Sequence, residues 1–209
     1  MAKNNSVKSK IKFVYFDVGG VLLYWENVLT ALAKHHRKEI KDIYEVFHKY
    51  DDLTCRGIIT PHQLIHGIHK DLRLTYIEEL DMSRLAKKYF EPIPQSHRLI
   101  SKLAAKMPVG LLTNIYLGFL EMSLQYGFIP KLNYTVVVKS CDLGLIKPDK
   151  KIYLYAQKMA GVAPSEILFI DDYKKNTAAA RKLGWQTYTF DNLHVQDSIK
   201  EIEKMLHLY

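Results

Sequence analysis

Five short apolar runs alternate with segments of helical periodicity, and this alternation is the strongest constraint on the fold. The runs lie at residues 11–16, 109–113, 134–138, 167–170 and 186–190. Between the last four, apolar residues recur every three or four positions: residues 119–126 close on Gly127, 150–159 on Gly161, and 177–183 on Gly184. A further helical pattern covers 98–106 and another 195–206. Short buried strands that take turns with helices predict a parallel sheet covered on both faces. The expected class is therefore α/β, a doubly wound, Rossmann-like parallel sheet.

One stretch breaks the alternation. From Trp25 to Phe90 the pattern is helical throughout. Leu29, Leu32, Ile40, Ile43, Val46 and Phe47 recur at helical spacing. Thr60-Pro61 opens another helix with proline in its first turn and Leu64, Ile65 and Ile68 on its apolar face. Glu91-Pro92-Ile93-Pro94 ends the stretch and is a candidate hinge. The expected organisation is a core of residues 11–23 and 93–209, an all-helical insertion at 24–92, and a mobile basic tail at 1–10.

Composition narrows the function classes. Of 209 residues, 48% are apolar and 25% charged, as in a folded globular protein. The longest apolar stretches are far too short to span a bilayer, so no membrane partner is expected. The basic start and the apolar run at 11–16 resemble a secretory leader only superficially, because Asp17 and Gly19-Gly20 interrupt the run. Two cysteines, Cys55 and Cys141, read as free thiols that pack in a reducing, cytoplasmic setting. The net charge is +8, and falls to about +4 once Lys3, Lys8, Lys10 and Lys12 are set aside. Such a surface favours anions. Nucleic acid and small phosphorylated substrates are both such anions, and charge alone does not choose between them; no zinc-finger spacing or RNA-binding aromatic motif supports nucleic acid. His62, His66 and His69 share a helix face and read as a solvated surface. A monomer or a homodimer is compatible with all of this.

In a doubly wound sheet, functional side chains gather at the carboxyl ends of the strands. The first strand ends at Asp17, the second at Thr113-Asn114, the fourth at Asp171-Asp172. Lys147 sits in the loop before a helix, between Gly144 and Pro148. Three carboxylates brought together repel unless a cation joins them. An oxygen-only donor set without His or Cys points to a hard cation such as Mg²⁺. That set suits phosphoryl transfer, with Asp17 as nucleophile and Lys147 neutralising charge.

These segments resemble the four motifs of the haloacid-dehalogenase-like (HAD) hydrolases. Phe16-Asp17-Val18-Gly19-Gly20-Val21-Leu22 is similar to the first, Leu111-Leu112-Thr113-Asn114 to the second, Gly144-Leu145-Ile146-Lys147-Pro148-Asp149 to the third, and Phe169-Ile170-Asp171-Asp172-Tyr173-Lys174-Lys175-Asn176 to the fourth. Asp17, Thr113, Lys147 and Asp171 follow in the family's order. The resemblance implies a Mg²⁺-dependent phosphatase of small phosphate esters, with residues 24–92 as a helical cap. It implies Asp17 as nucleophile and metal ligand, the Gly19 carbonyl as a second ligand, and Asp172 as the main fourth-motif ligand with Asp171 beside it. Thr113 and Asn114 would hold the phosphoryl group, and Asn176 would orient a metal-bound water. Arg56-Gly57-Ile58-Ile59-Thr60 resembles a cap segment of sugar-phosphate phosphatases, which implies that Arg56 reaches the leaving group.

One position departs from the pattern. Most phosphatases of the family carry a second Asp two residues after the nucleophile, as acid and base; here Gly19 stands there. General acid–base catalysis contributes ~10²–10⁴ in rate. Three readings stay open: a phosphatase of the branch that resembles glucose-1-phosphate-type enzymes, with the proton supplied from elsewhere; a dehalogenase-like hydrolase, which needs no such acid; and a binding or regulatory module on the same fold.

Overall fold

In the computed structural model, which describes residues 11–207, the sheet has the expected parallel, doubly wound form. Its five strands are β1 (Phe13–Phe16), β4 (Val109–Thr113), β5 (Val136–Lys139), β6 (Ile167–Asp171) and β7 (Gln186–Thr189), in the spatial order β5-β4-β1-β6-β7. Every pairing is parallel. The basic segment 1–10 lies outside the described residues.

β1 is buried on both faces, as its unbroken apolar run requires. Val14 and Phe16 pack with Leu99, Ile100 and Leu103 of α5 (Pro94–Ala104) and with Val195, Ile199 and Ile202 of α10 (Val195–Met205). Phe13 and Tyr15 face the other way, onto Ile152, Tyr153 and Ala156 of α8 (Lys150–Ala160) and Ala180 of α9 (Lys174–Lys182). The period-two alternation of a strand thus feeds two separate cores.

Between β1 and β4 the chain leaves the sheet. It passes through β2 (Leu23–Tyr24), then α1 (Asn27–His36), α2 (Ile40–Cys55), α3 (Pro61–Asp71) and α4 (Met82–Tyr89), and returns through β3 (Glu91–Pro92). β2 and β3 pair antiparallel, Leu23 opposite Pro92 and Tyr24 opposite Glu91, so the outgoing and returning chains are stitched together at the neck of the insertion. Two-residue strands leave no periodic signal, and sequence reading sees only the break at Pro92 and Pro94. The four helices have their own core, built on Leu29, Leu32, Ile43, Phe47, Leu64, Ile65, Ile68 and Leu85, which also takes in Phe119 and Met122 of α6 (Phe119–Gln125). Ile40, predicted on this face, is 38% exposed because it opens α2. Thr60 caps α3: its Oγ1 accepts from Gln63 N, and Gln63 Oε1 accepts from Thr60 N.

Several boundaries differ from the sequence reading. α5 begins at Pro94 rather than Arg98, because a proline in the first turn starts a helix as readily as it ends one. α9 begins at Lys174 rather than Thr177, and a short α7 (Ser140–Leu143) follows β5 directly. Among the described residues, no helix is long and apolar enough to cross a membrane.

Candidate active site

β4, β1 and β6 lie side by side, and the chain winds outward from β1 in both directions. Their carboxyl ends therefore flank the switch point of the sheet. Thr113 ends β4, Asp17 follows β1, and Asp171 ends β6 with Asp172 next.

Lys147 is the centre of this group. It is 1% exposed, and its Nζ lies 2.8 Å from Asp17 Oδ2 and 2.6 Å from Asp171 Oδ2. Burial works against its charge, but the two carboxylates outweigh this and hold its pKa above the usual lysine value. Asn114 places it: its side-chain amide donates to the Lys147 carbonyl at 3.0 Å and accepts from the Lys147 N–H at 2.8 Å. That clamp uses the amide oxygen and one N–H. Asn114 also lines the cavity, and its amide nitrogen keeps a second N–H.

The two neighbouring aspartates have different surroundings. Asp171 accepts from Lys147 Nζ, from Tyr173 N–H at 2.8 Å, and from Asn176 Nδ2 at 3.0 and 3.1 Å to its two oxygens. A carboxylate has about four acceptor sites, so protein donors occupy Asp171. Asp172 is the reverse: its Oδ1 is buried with no hydrogen-bond partner. One oxygen from each of Asp17, Asp171 and Asp172 lies within 4.8 Å of the others. By their bonding, Asp17 and Asp172 offer lone pairs to a cation, and Asp171 anchors Lys147. Gly20 makes this possible. It has φ +71°, and a β-carbon there would lie 2.0 Å from Asp172 Oδ2.

The charges of the cluster do not balance by themselves. Burial pushes the Asp17 carboxyl up to about 7, with Asp171 acting in the same direction and Lys147 against. Burial, then Asp17 and Asp171, pushes Asp172 up to about 8. Three carboxylates against one ammonium leave an excess that one divalent cation would neutralise. With the orphaned oxygen of Asp172 and the all-oxygen donor set, the residues present fit Mg²⁺.

A cavity of about 190 Å³ opens over this cluster. At its sheet end it is lined by Asp17, Gly19, Thr113, Asn114, Lys147, Asp172 and Asn176. Asn176 Nδ2 bonds Asp171, and its buried Oδ1 has no partner, so it presents an acceptor there. Thr113 is buried at the end of β4, and its Oγ1 makes a long contact, 3.4 Å, to the Asn114 carbonyl. At the other end stand Trp25, Val28, Leu29, Phe47, Met82, Phe90 and Phe119.

Arg56 is not part of this lining. Its guanidinium donates to the Gly144 carbonyl at 2.9 Å, tying the end of α2 to the loop that precedes Lys147. The expectation that it reaches the leaving group rested on a short segment; at the α2 C-cap the side chain lies against the core. Asp51, Tyr116 and Trp25 do line the cavity, and sequence reading passed over them. Asp51 sits in an amphipathic helix beside Asp52, where a carboxylate reads as solvent-facing. Cys55 and Cys141 are free thiols.

A family model described as haloacid dehalogenase-like hydrolase matches residues 11–184. Over 134 residues the chain is 30% identical to acyl-CoA dehydrogenase family member 10 of Mus musculus; the match covers 63% of this chain and only 12% of that protein. The sesquiterpene phosphatase astK of Aspergillus oryzae is 24% identical over 194 residues, 90% of this chain and 91% of that one. A HAD family enzyme of Bacteroides thetaiotaomicron, solved as the wild-type protein with magnesium and inorganic phosphate, has a TM-score of 0.69 at 23% identity, over 87% of this chain and 95% of that one.

Proposed function

The chain belongs to the haloacid dehalogenase-like hydrolases, and on that premise we propose that it is a Mg²⁺-dependent phosphatase whose substrate is the phosphate monoester of a small apolar alcohol. The carrying observation is that one cavity joins the Asp17–Lys147–Asp172 cluster to an apolar wall. The charged end suits a phosphoryl group. The other end offers Val28, Leu29, Phe47, Met82 and Phe119, all buried, and polar groups reach the cavity mainly from its α2 side and from the segments before α6 and α9. The hydroxyls of a polar leaving group set against these apolar side chains would lose water without gaining partners. The apolar wall therefore favours an apolar alcohol over the sugar phosphates implied by the sequence resemblance. The sesquiterpene phosphatase relative is consistent with this choice.

An apolar cavity of ~150 Å³ takes up benzene, so 190 Å³ holds a phosphoryl group with a short alcohol. The helical insertion acts as a cap: it closes the site, and its movement at the β2–β3 neck admits substrate.

Asp17, Asp172 and the Gly19 carbonyl would hold Mg²⁺. Bound there, the ion supplies charge neutralisation between the anionic nucleophile and the phosphoryl group. The chain's own residues do the rest. Asp17 Oδ2 attacks phosphorus, the P–O bond to the alcohol breaks, and an aspartyl-phosphate forms. Lys147 stays cationic beside both carboxylates and offsets charge on the transferred group. Asn176 Oδ1 accepts from the water that then hydrolyses the aspartyl-phosphate. The buried carboxylate excess also favours this reading over a dehalogenase, which has no use for a cation site.

The test is phosphate release from p-nitrophenyl phosphate, a short branched alkyl or prenyl phosphate, and glucose 1-phosphate, with Mg²⁺ or EDTA, and with Asp17→Asn as blank. Turnover should require Mg²⁺ and fall at least ~10³-fold in the variant. The alkyl ester should exceed the sugar ester in kcat/KM. No release from any ester would overturn the phosphatase, and a preference for the sugar ester would overturn the apolar substrate.

A further inference from the structure

If the chain is a phosphatase, something must protonate the departing alcohol, and Gly19 has no side chain with which to do it. The supply has to come from the cavity wall. Beyond the cluster around Lys147, the titratable side chains that line the cavity are His48, Asp51, Asp52 and Cys55 on α2, Tyr116 before α6, Tyr173 at the N-cap of α9 and Lys175 in its first turn. His48, Asp52, Tyr173 and Lys175 are exposed. Tyr116 and Cys55 both turn toward Asp51. Tyr116 OH donates to Asp51 Oδ1 at 2.6 Å, and Cys55 Sγ lies 3.7 Å from the same oxygen.

Asp51 is thus half-buried, held on one oxygen, Oδ1, and among the described residues its other oxygen, Oδ2, makes no hydrogen bond. The backbone beneath it is fixed to the core. Ser140 Oγ donates to the Cys55 carbonyl at 2.6 Å, and Arg56 Nη1 to the Gly144 carbonyl. Gly57, with φ +69°, lets the end of α2 approach so closely that a β-carbon there would lie 2.7 Å from the Cys141 carbonyl oxygen. A side chain that lines the reaction cavity from an anchored helix turn, one oxygen pinned and the other open, has the placement of an acid–base group.

We infer that Asp51 is the general acid that protonates the leaving alcohol, and then the general base for the attacking water, in place of a side chain at residue 19; the inference rests on the phosphatase reading above. In the first step Asp17 bonds to phosphorus. The ester P–O electron pair goes to the alcohol oxygen, which takes the proton of Asp51 Oδ2 and leaves neutral. In the second, water gives its hydroxyl to phosphorus and its proton to the Asp51 carboxylate, and Asp17 is released as carboxylate. Proton and charge return to their starting places. Burial supports the assignment by raising the Asp51 carboxyl above its ordinary value, against the hydrogen bond from Tyr116. Tyr116 and Cys55 are pushed well up by their own burial, then by Asp51, and stay protonated as donors to it.

The experiment uses leaving groups of different need. p-Nitrophenolate departs readily as the anion, whereas an alkoxide does not. Wild type, Asp51→Asn and Asp51→Glu are compared on p-nitrophenyl phosphate and on a short alkyl phosphate, with melting curves as the check on folding. Asp51→Asn keeps an acceptor for Tyr116. It should lower kcat for the alkyl ester by ~10²–10⁴ and for the nitrophenyl ester by much less. Asp51→Glu, which keeps a carboxyl, should recover part of the alkyl activity. Equal losses on both esters, or no loss on the alkyl ester, would overturn the assignment. Failure of the wild type on both esters would instead strike the phosphatase reading, and this inference would fall with it.

Discussion

The indole of Trp25 stands over Gly19, with Cδ1 3.0 Å and Nε1 3.3 Å from where a β-carbon at residue 19 would lie. Gly19 does not sit in the left-handed region as Gly20 does, so its constraint is space and not backbone. Trp25 in turn stacks on Phe47 at 5.7 Å between ring centres and forms part of the apolar wall. The absence of an acid at residue 19 and the presence of an apolar cavity are one arrangement: the ring that shapes the wall occupies the room an aspartate would need.

Restoring the aspartate should therefore fail in a particular way. Gly19→Asp brings its β-carbon tightly against the Trp25 ring, which must shift slightly, and overpacking of this kind costs about 1–3 kcal/mol where the ring cannot yield. The Gly19→Asp/Trp25→Ala double variant should lose less than the two single changes summed. Thermal or urea unfolding of the four proteins measures that coupling. Strict additivity would show that the indole is not what fills the space.

The sheet and the strand-end residues were legible because each leaves a local mark. Apolar runs bury strands, and Asp17, Thr113 and Asp171 stand where those runs stop. What stayed hidden depends on contacts between distant segments. Asp171 and Asp172 are the same residue type side by side, and only the Lys147 and Asn176 bonds separate an anchor from a carboxylate with an unpartnered oxygen. Asn114 reads as a phosphate binder, and nothing local reveals that its side chain also clamps the Lys147 loop. Asp51 has the sequence surroundings of a solvated helix face, and nothing in them reveals that Tyr116, 65 residues away, holds it. Arg56 illustrates the opposite error, a motif likeness outweighed by a hydrogen bond to the core.

Lys147→Met should be the most destabilising single change at the site. It leaves the buried carboxylates of Asp17 and Asp171 face to face, and removing one partner of a buried ion pair costs about 3–5 kcal/mol. Asp171→Asn in the same chain should recover part of the loss, because one of the two uncompensated charges is gone. Urea midpoints of the two variants decide the point. A Lys147→Met protein within about 1 kcal/mol of wild type would mean that the carboxylates are relieved in another way.

Acidity and metal should act on stability through the same oxygens. The Asp17 carboxyl is pushed up to about 7 and that of Asp172 to about 8, against an ordinary value of 3.8. Between about pH 4 and 8 the metal-free folded state then binds more protons than the unfolded chain, so these groups stabilise at low pH, and that contribution is lost as pH rises through the window. The partly buried His36 and the buried His69, which the sequence pattern places on a solvated face, act in the opposite sense. Burial lowers both, so they cost stability as pH falls below 6.5. The informative quantity is consequently the difference between wild type and Asp172→Asn, in which the histidine contribution cancels. At the proposed metal site Mg²⁺ would compete with the protons for Asp17 and Asp172, so its binding should tighten as pH rises. Melting temperatures at pH 5 to 8, with Mg²⁺ and with EDTA, should show a Mg²⁺ increment that grows with pH in wild type and shrinks sharply in Asp172→Asn. An increment that is flat across pH, or equal in the two proteins, would remove Asp172 from the metal site and leave its buried, unpartnered oxygen without a purpose.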